Sequence, residues 1–90
     1  MTTDHERAYL RALGLRLRLL RTASQLSQAQ LGEAAKVTRA QVSAIERANH
    51  AANLLVYARL ASAFGVRFPD LVDTDLADGE LMQLLGDHLH

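Results

Sequence analysis

The 90-residue sequence has no cysteine, no tryptophan and a single proline. Without cysteine it can have neither a disulfide framework nor a thiolate metal site, which fits a reducing, intracellular setting. Its uninterrupted apolar runs are only a few residues long, far short of the roughly 20 that span a bilayer. The opening MTTDHERAYLR has no cationic segment followed by an apolar one, so it does not read as a signal peptide. A soluble, cytoplasmic chain with no membrane partner is expected. Nothing alternates with period two for long enough to suggest a strand. There is no Gly-rich phosphate loop, no metal-binding helix signature and no pair of carboxylates set up for acid–base work. No catalytic residue, cofactor or small-molecule ligand domain is expected. Ser43 has no base placed near it by sequence, and so is not a nucleophile. Asp87-His88-Leu89-His90 could catch a metal, but no further ligands are evident and none is expected there.

Net charge is also missing, but only by cancellation. Residues 1–69 hold all ten Lys and Arg against four acids, a net +6, while residues 70–90 hold six acids and no Lys or Arg. Such asymmetry points to a basic functional body, residues 1–72, followed by an acidic tail, residues 73–90. The tail could screen the basic body or simply keep the chain soluble.

What is present is a succession of helix signals. Thr3 with Glu6 forms a capping-box pattern, after which Leu10, Leu13, Leu17 and Leu20 recur at helical spacing. One long first helix over about 4–23 follows, with Gly14 as a tolerated weak point. Ser27 with Gln30 and Thr38 with Gln41 are two more capping boxes, opening short helices over about 27–36 and 38–48. Asn53 caps a fourth helix with an apolar stripe of Leu54, Tyr57, Leu60, Ala61 and Phe64, stopped by Gly65. Pro69 begins a short fifth helix, and the tail could add a sixth around Glu80–Leu85. The fold class is all-α, one domain of five helices and a sixth if the tail folds.

The third helix raises the functional question. On a helical wheel Val42 and Ile45 share one side, with Glu46 beside Val42. Ala40, Ser43, Ala44 and Arg47 fall opposite, flanked by Arg39 and Gln41. That outer face is flat, cationic and free of acids. The DNA major groove admits an α-helix, arginine pairs with guanine there, and alanine can meet a thymine methyl. Alone, Arg39 and Arg47 could equally be two solvated surface arginines.

Two short capped helices joined by a tight turn are the helix-turn-helix arrangement. Residues 14–71 resemble the phage-repressor and Cro-like (xenobiotic-response-element type) helix-turn-helix family of regulators. The resemblance rests on S-Q-x-x-L from Ser27, on VTRAQVSAIER from Val37, and on ASAFGVRFPDL from Ala61. It implies a compact, lambda-repressor-like domain that binds double-stranded DNA. Residue by residue, it implies that Arg39, Ala40 and Ala44 meet base edges, with Gln41 and Ser43 beside them. Gln28, Arg47, Asn49 and His50 would approach phosphates, and Arg21 would pair with Glu46 to tie the first helix to the third. The sequence departs from the family's pattern at Lys36 and Ala48, where glycine is usual, and at Gly32, where alanine is usual. Its Asn49–Asn53 loop lacks the common basic residue.

A single module contacts one half-site, so a homodimer on a palindromic operator is expected. Phe68, Leu71, Leu81, Leu84 and Leu85 are the candidate interface residues, with Leu15 and Leu19 as further apolar positions. The function expected is that of a sequence-specific transcriptional repressor or autoregulator. The alternative is a protein-interaction module, antitoxin-like or adaptor-like, that uses the tail.

Overall fold

Each helix begins where a side chain can satisfy its first free amide groups. The computed structural model describes residues 3–49 and 52–73, and these form five helices and, among the described residues, no strand. Helix α1 (Asp4–Ala23) is capped by Thr3, whose hydroxyl accepts from the Glu6 amide at 3.1 Å. Helices α2 (Gln28–Ala35) and α3 (Arg39–Glu46) each carry a complete reciprocal capping box, Ser27 with Gln30 and Thr38 with Gln41. Helix α4 (Leu54–Phe64) is capped by Asn53 and ends at Gly65, which takes the left-handed conformation. Helix α5 (Phe68–Val72) has no side-chain cap and relies on Pro69 in its first turn.

The apolar stripes of all five helices converge on one core. Leu20, Leu31, Val42, Leu60 and Phe64 are its most completely buried large side chains. Each contributes on the order of 1.5–3 kcal/mol relative to exposure. Helix α3 packs against both α1 and α2, so it is held from two sides.

Two glycines set how closely these helices approach. A Cβ on Gly14 would lie 2.5 Å from the Ile45 carbonyl oxygen and 2.9 Å from that of Glu46. Gly14 is therefore the point where α1 crosses the end of α3, a requirement of packing and not the weak point its mid-helix position suggests. Gly32 likewise faces the Val37 carbonyl, where a Cβ would stand at 2.8 Å. This keeps α2 close to the turn into α3.

The ends of α1, α2 and α3 are closed by Gln25, Lys36 and Ala48, all with φ near +60°. Lys36 (φ 60°, ψ 41°) receives the left-handed turn without glycine's freedom, the strain anticipated from the sequence. The Val37 amide donating to the Gly32 carbonyl at 2.9 Å closes that turn.

Arg16 occupies a place the sequence reading did not assign. It lies on the same stripe as Leu13, Leu17 and Leu20 and is only 4% exposed. Its guanidinium donates to the carbonyl oxygens of Asp70 (3.3 Å) and Asp73 at the end of α5, satisfying groups the short helix leaves open. Tyr9 adds a second tie, its hydroxyl donating to the Val72 carbonyl at 2.7 Å. Leu71, expected at a dimer interface, is instead 2% exposed within the core, because these ties turn that side of α5 inward. Phe68 is half-buried and packs against the same core. Leu81, Leu84 and Leu85, the sixth helix, and His50 lie outside the described residues.

Candidate nucleic-acid interface

The centre of the candidate site is the joint between α1, α2 and α3. Arg21, near the end of α1, grips Glu46 at the end of α3 with two parallel bonds, Nε to Oε2 at 2.7 Å and Nη2 to Oε1 at 3.0 Å. Its remaining Nη1 donates to the Leu26 carbonyl at 2.9 Å, so one guanidinium holds a helix and a turn together. The pair is largely shielded, with side-chain exposures of 14% for Arg21 and 4% for Glu46. Bonding to Glu46 raises the Arg21 pKa above its ordinary value, opposed by the cost of burial. The pair fixes the angle at which α3 leaves the body.

Gln28, at the first turn of α2, joins this joint. Its side-chain amide donates to Glu46 Oε1 at 3.3 Å, and the residue is half-buried. One of the two amide hydrogens is thus used internally. The amide groups of the first turn of α2 remain the feature of this position suited to an anion.

The outward side of α3 divides into accessible and covered positions. Arg39, Ala40, Gln41 and Arg47 are exposed, and Ser43 is half-exposed. Among the described residues Arg39 has no hydrogen-bonding or ionic partner. Gln41 uses its side-chain oxygen to accept from the Thr38 amide at 2.8 Å, leaving its NH2 as the group that can reach outward. Arg47 caps α3 and donates from Nε to the Ser43 carbonyl at 3.3 Å, which leaves its terminal nitrogens open. Asn49 is exposed just beyond. Ala44 corrects the helical-wheel reading: it is only 7% exposed and offers almost no surface to a base. Helix α3 is covered from both α1 and α2, so more than one narrow stripe is buried, and a single methyl is too short to clear its surroundings.

The fold also assembles cations that the sequence keeps apart. Arg7 and Arg11 of α1 line a cleft with Arg47 and Asn49. Near the other end of the α2–α3 unit, Arg59 of α4 donates to the Lys36 carbonyl at 3.4 Å. Arg7 and Arg11 were not marked from sequence; their i, i+4 spacing off the leucine stripe was the signal available. Among the described residues no group of His, Asp and Glu is placed to hold a metal ion. No helix there is long and apolar enough to cross a membrane.

Comparison with known proteins agrees with this geometry. A family described as a helix-turn-helix domain matches residues 12–74. Curated protein sequences give no match. Among solved structures the chain is similar to the clp gene regulator ClgR from Corynebacterium glutamicum. The similarity has 25% sequence identity and a TM-score of 0.67, and it covers 90% of this chain and 85% of that one. With the accessible, acid-free outward side of α3 held by the Arg21–Glu46 joint, and with a family match over most of its length, the chain belongs to the helix-turn-helix domain family of DNA-binding, non-enzymatic proteins.

Proposed function

We infer that this protein is a sequence-specific transcriptional regulator that binds a palindromic operator as a homodimer and represses by occupying it. The observation that carries the reading is the outward side of α3, where Arg39, Ala40 and Gln41 are exposed beside Arg47 and no acid intervenes. Arg39 reads a base edge, with the Gln41 amide and Ser43 hydroxyl beside it, while Ala40 is small enough to let the helix approach. Gln28, Arg47, Asn49 and the first-turn amides of α2 fix register on phosphates and carry no sequence information themselves. The regulatory role of the similar ClgR supports the same reading.

Dimerisation has apolar surface to draw on. Leu15, Leu54 and Leu55 are exposed, and Tyr9, Leu13, Leu54, Tyr57 and Phe68 line an apolar groove of about 250 Å³. Two copies would present their α3 helices to successive major grooves about one helical turn apart.

Selection from a randomised duplex pool over a series of salt concentrations, with sequencing of the bound fraction, tests the proposal. Enrichment of two inverted half-sites about one turn apart is expected. An enriched site without inverted symmetry would overturn the dimeric arrangement, and no enrichment at any salt would overturn sequence-specific reading.

A further inference from the structure

We propose that Arg7 and Arg11, on the first turns of α1, form with Arg47 and Asn49 a cradle for a backbone phosphate of the bound DNA. The cradle widens the contact beyond the helix-turn-helix unit. The inference rests on the DNA-binding reading above and assigns an added contact to a part of α1 that precedes the family-matched segment, residues 12–74.

The contact of Gly14 with the Ile45 and Glu46 carbonyls fixes α1 alongside the end of α3. Just before that crossing, Arg7, Leu10 and Arg11 face Arg47, Ala48 and Asn49 across a cleft of about 370 Å³. Among the described residues, three arginines and an asparagine amide line it, and no carboxylate does. The acids at the start of α1, Asp4 and Glu6, are not among its walls, and Glu6 accepts from the Thr3 hydroxyl. Among the described residues neither Arg7 nor Arg11 has an ionic partner. Three like charges around one open cleft repel one another, and an anion between them relieves that repulsion.

The position suits DNA. Helix α3 has eight residues, which is about 12 Å of helix, and the major groove is about 12 Å wide. With Arg39 at the base edges, the Arg47 end therefore stands near the groove wall, where the phosphates run. A free anion is the weaker occupant. All three arginines are exposed, so each alone attracts a small ion only feebly through water and salt. A phosphodiester is delivered and held by the rest of the interface.

The test measures the salt dependence of binding to the selected operator for the wild type, Arg7→Gln/Arg11→Gln and Arg7→Lys/Arg11→Lys. Thermal unfolding confirms that each is folded, and both positions are exposed on a helix surface that tolerates Gln and Lys. The Gln variant should lose about 0.9 from the slope of log K against log salt for each phosphate contact removed. It should weaken all operator sequences alike and lose phosphate-ethylation interference at one position per half-site. The Lys variant should keep most of the slope. A folded Gln variant with an unchanged slope and unchanged interference overturns the cradle while leaving the DNA-binding reading intact. A wild-type protein that binds no duplex overturns both.

Discussion

Gly14 of α1 and Ile45 of α3 meet so closely that a Cβ on the glycine would stand 2.5 Å from the Ile45 carbonyl oxygen. The obstacle is backbone at the end of α3, which cannot rotate aside as a side chain would. Gly14→Ala gains helix propensity, yet it must push α3 away from α1. Overpacking of this kind costs about 1–3 kcal/mol. Urea unfolding should show a net loss of stability; an unchanged or raised midpoint would mean that α1 and α3 separate without penalty.

The Arg21–Glu46 joint makes a second expectation. Glu46→Ala leaves Arg21 largely shielded with its carboxylate gone, and removal of one partner from a buried pair costs roughly 3–5 kcal/mol. Partial exposure of Arg21 puts the expected loss at the lower end. Arg21→Ala/Glu46→Ala should be less destabilised than the sum of the two single variants. Additive losses in the double-mutant cycle would show that the two side chains act separately.

Lys36 and Ala48 hold φ of 60° and 56°, a region that costs a non-glycine residue about 1–2 kcal/mol. Lys36→Gly and Ala48→Gly remove that strain but add freedom to the unfolded chain, worth about 0.5–1 kcal/mol in the other direction. Each should therefore stabilise by roughly 0.5–1 kcal/mol, seen as a higher midpoint in chemical unfolding. Destabilisation at either site would mean that its side chain makes contacts outweighing the strain.

Arg39→Ala tests base reading directly. Loss of one arginine–base contact should cost about 1–3 kcal/mol and relax preference at a single operator position. Equal weakening on every sequence would instead make Arg39 a phosphate contact.

How much of this was legible beforehand differs by kind of feature. The caps Thr3, Ser27, Thr38 and Asn53 all start helices where they were expected to, because a cap bonds an amide three residues away and needs no distant partner. The left-handed turn at Lys36 was equally readable from a departure at a position where the family uses glycine. Arg16 was missed although it sits on the leucine stripe, since an arginine at a buried helical position is normally taken as solvated. The carbonyls at the end of α5, which help make its burial favourable, are 54 or more residues away in sequence.

By itself, then, the sequence determined the all-α class, the helix boundaries, the helix-turn-helix unit and the separation of a basic body from an acidic tail. These depend on hydrophobic period, capping and charge, all of which act over a few residues. The tertiary structure decided that Ala44 and Leu71 face inward, that Gly14 is a crossing, and that Arg7 and Arg11 stand beside Arg47. Those outcomes depend on how distant helices pack, and packing sums many weak contacts that no local pattern records.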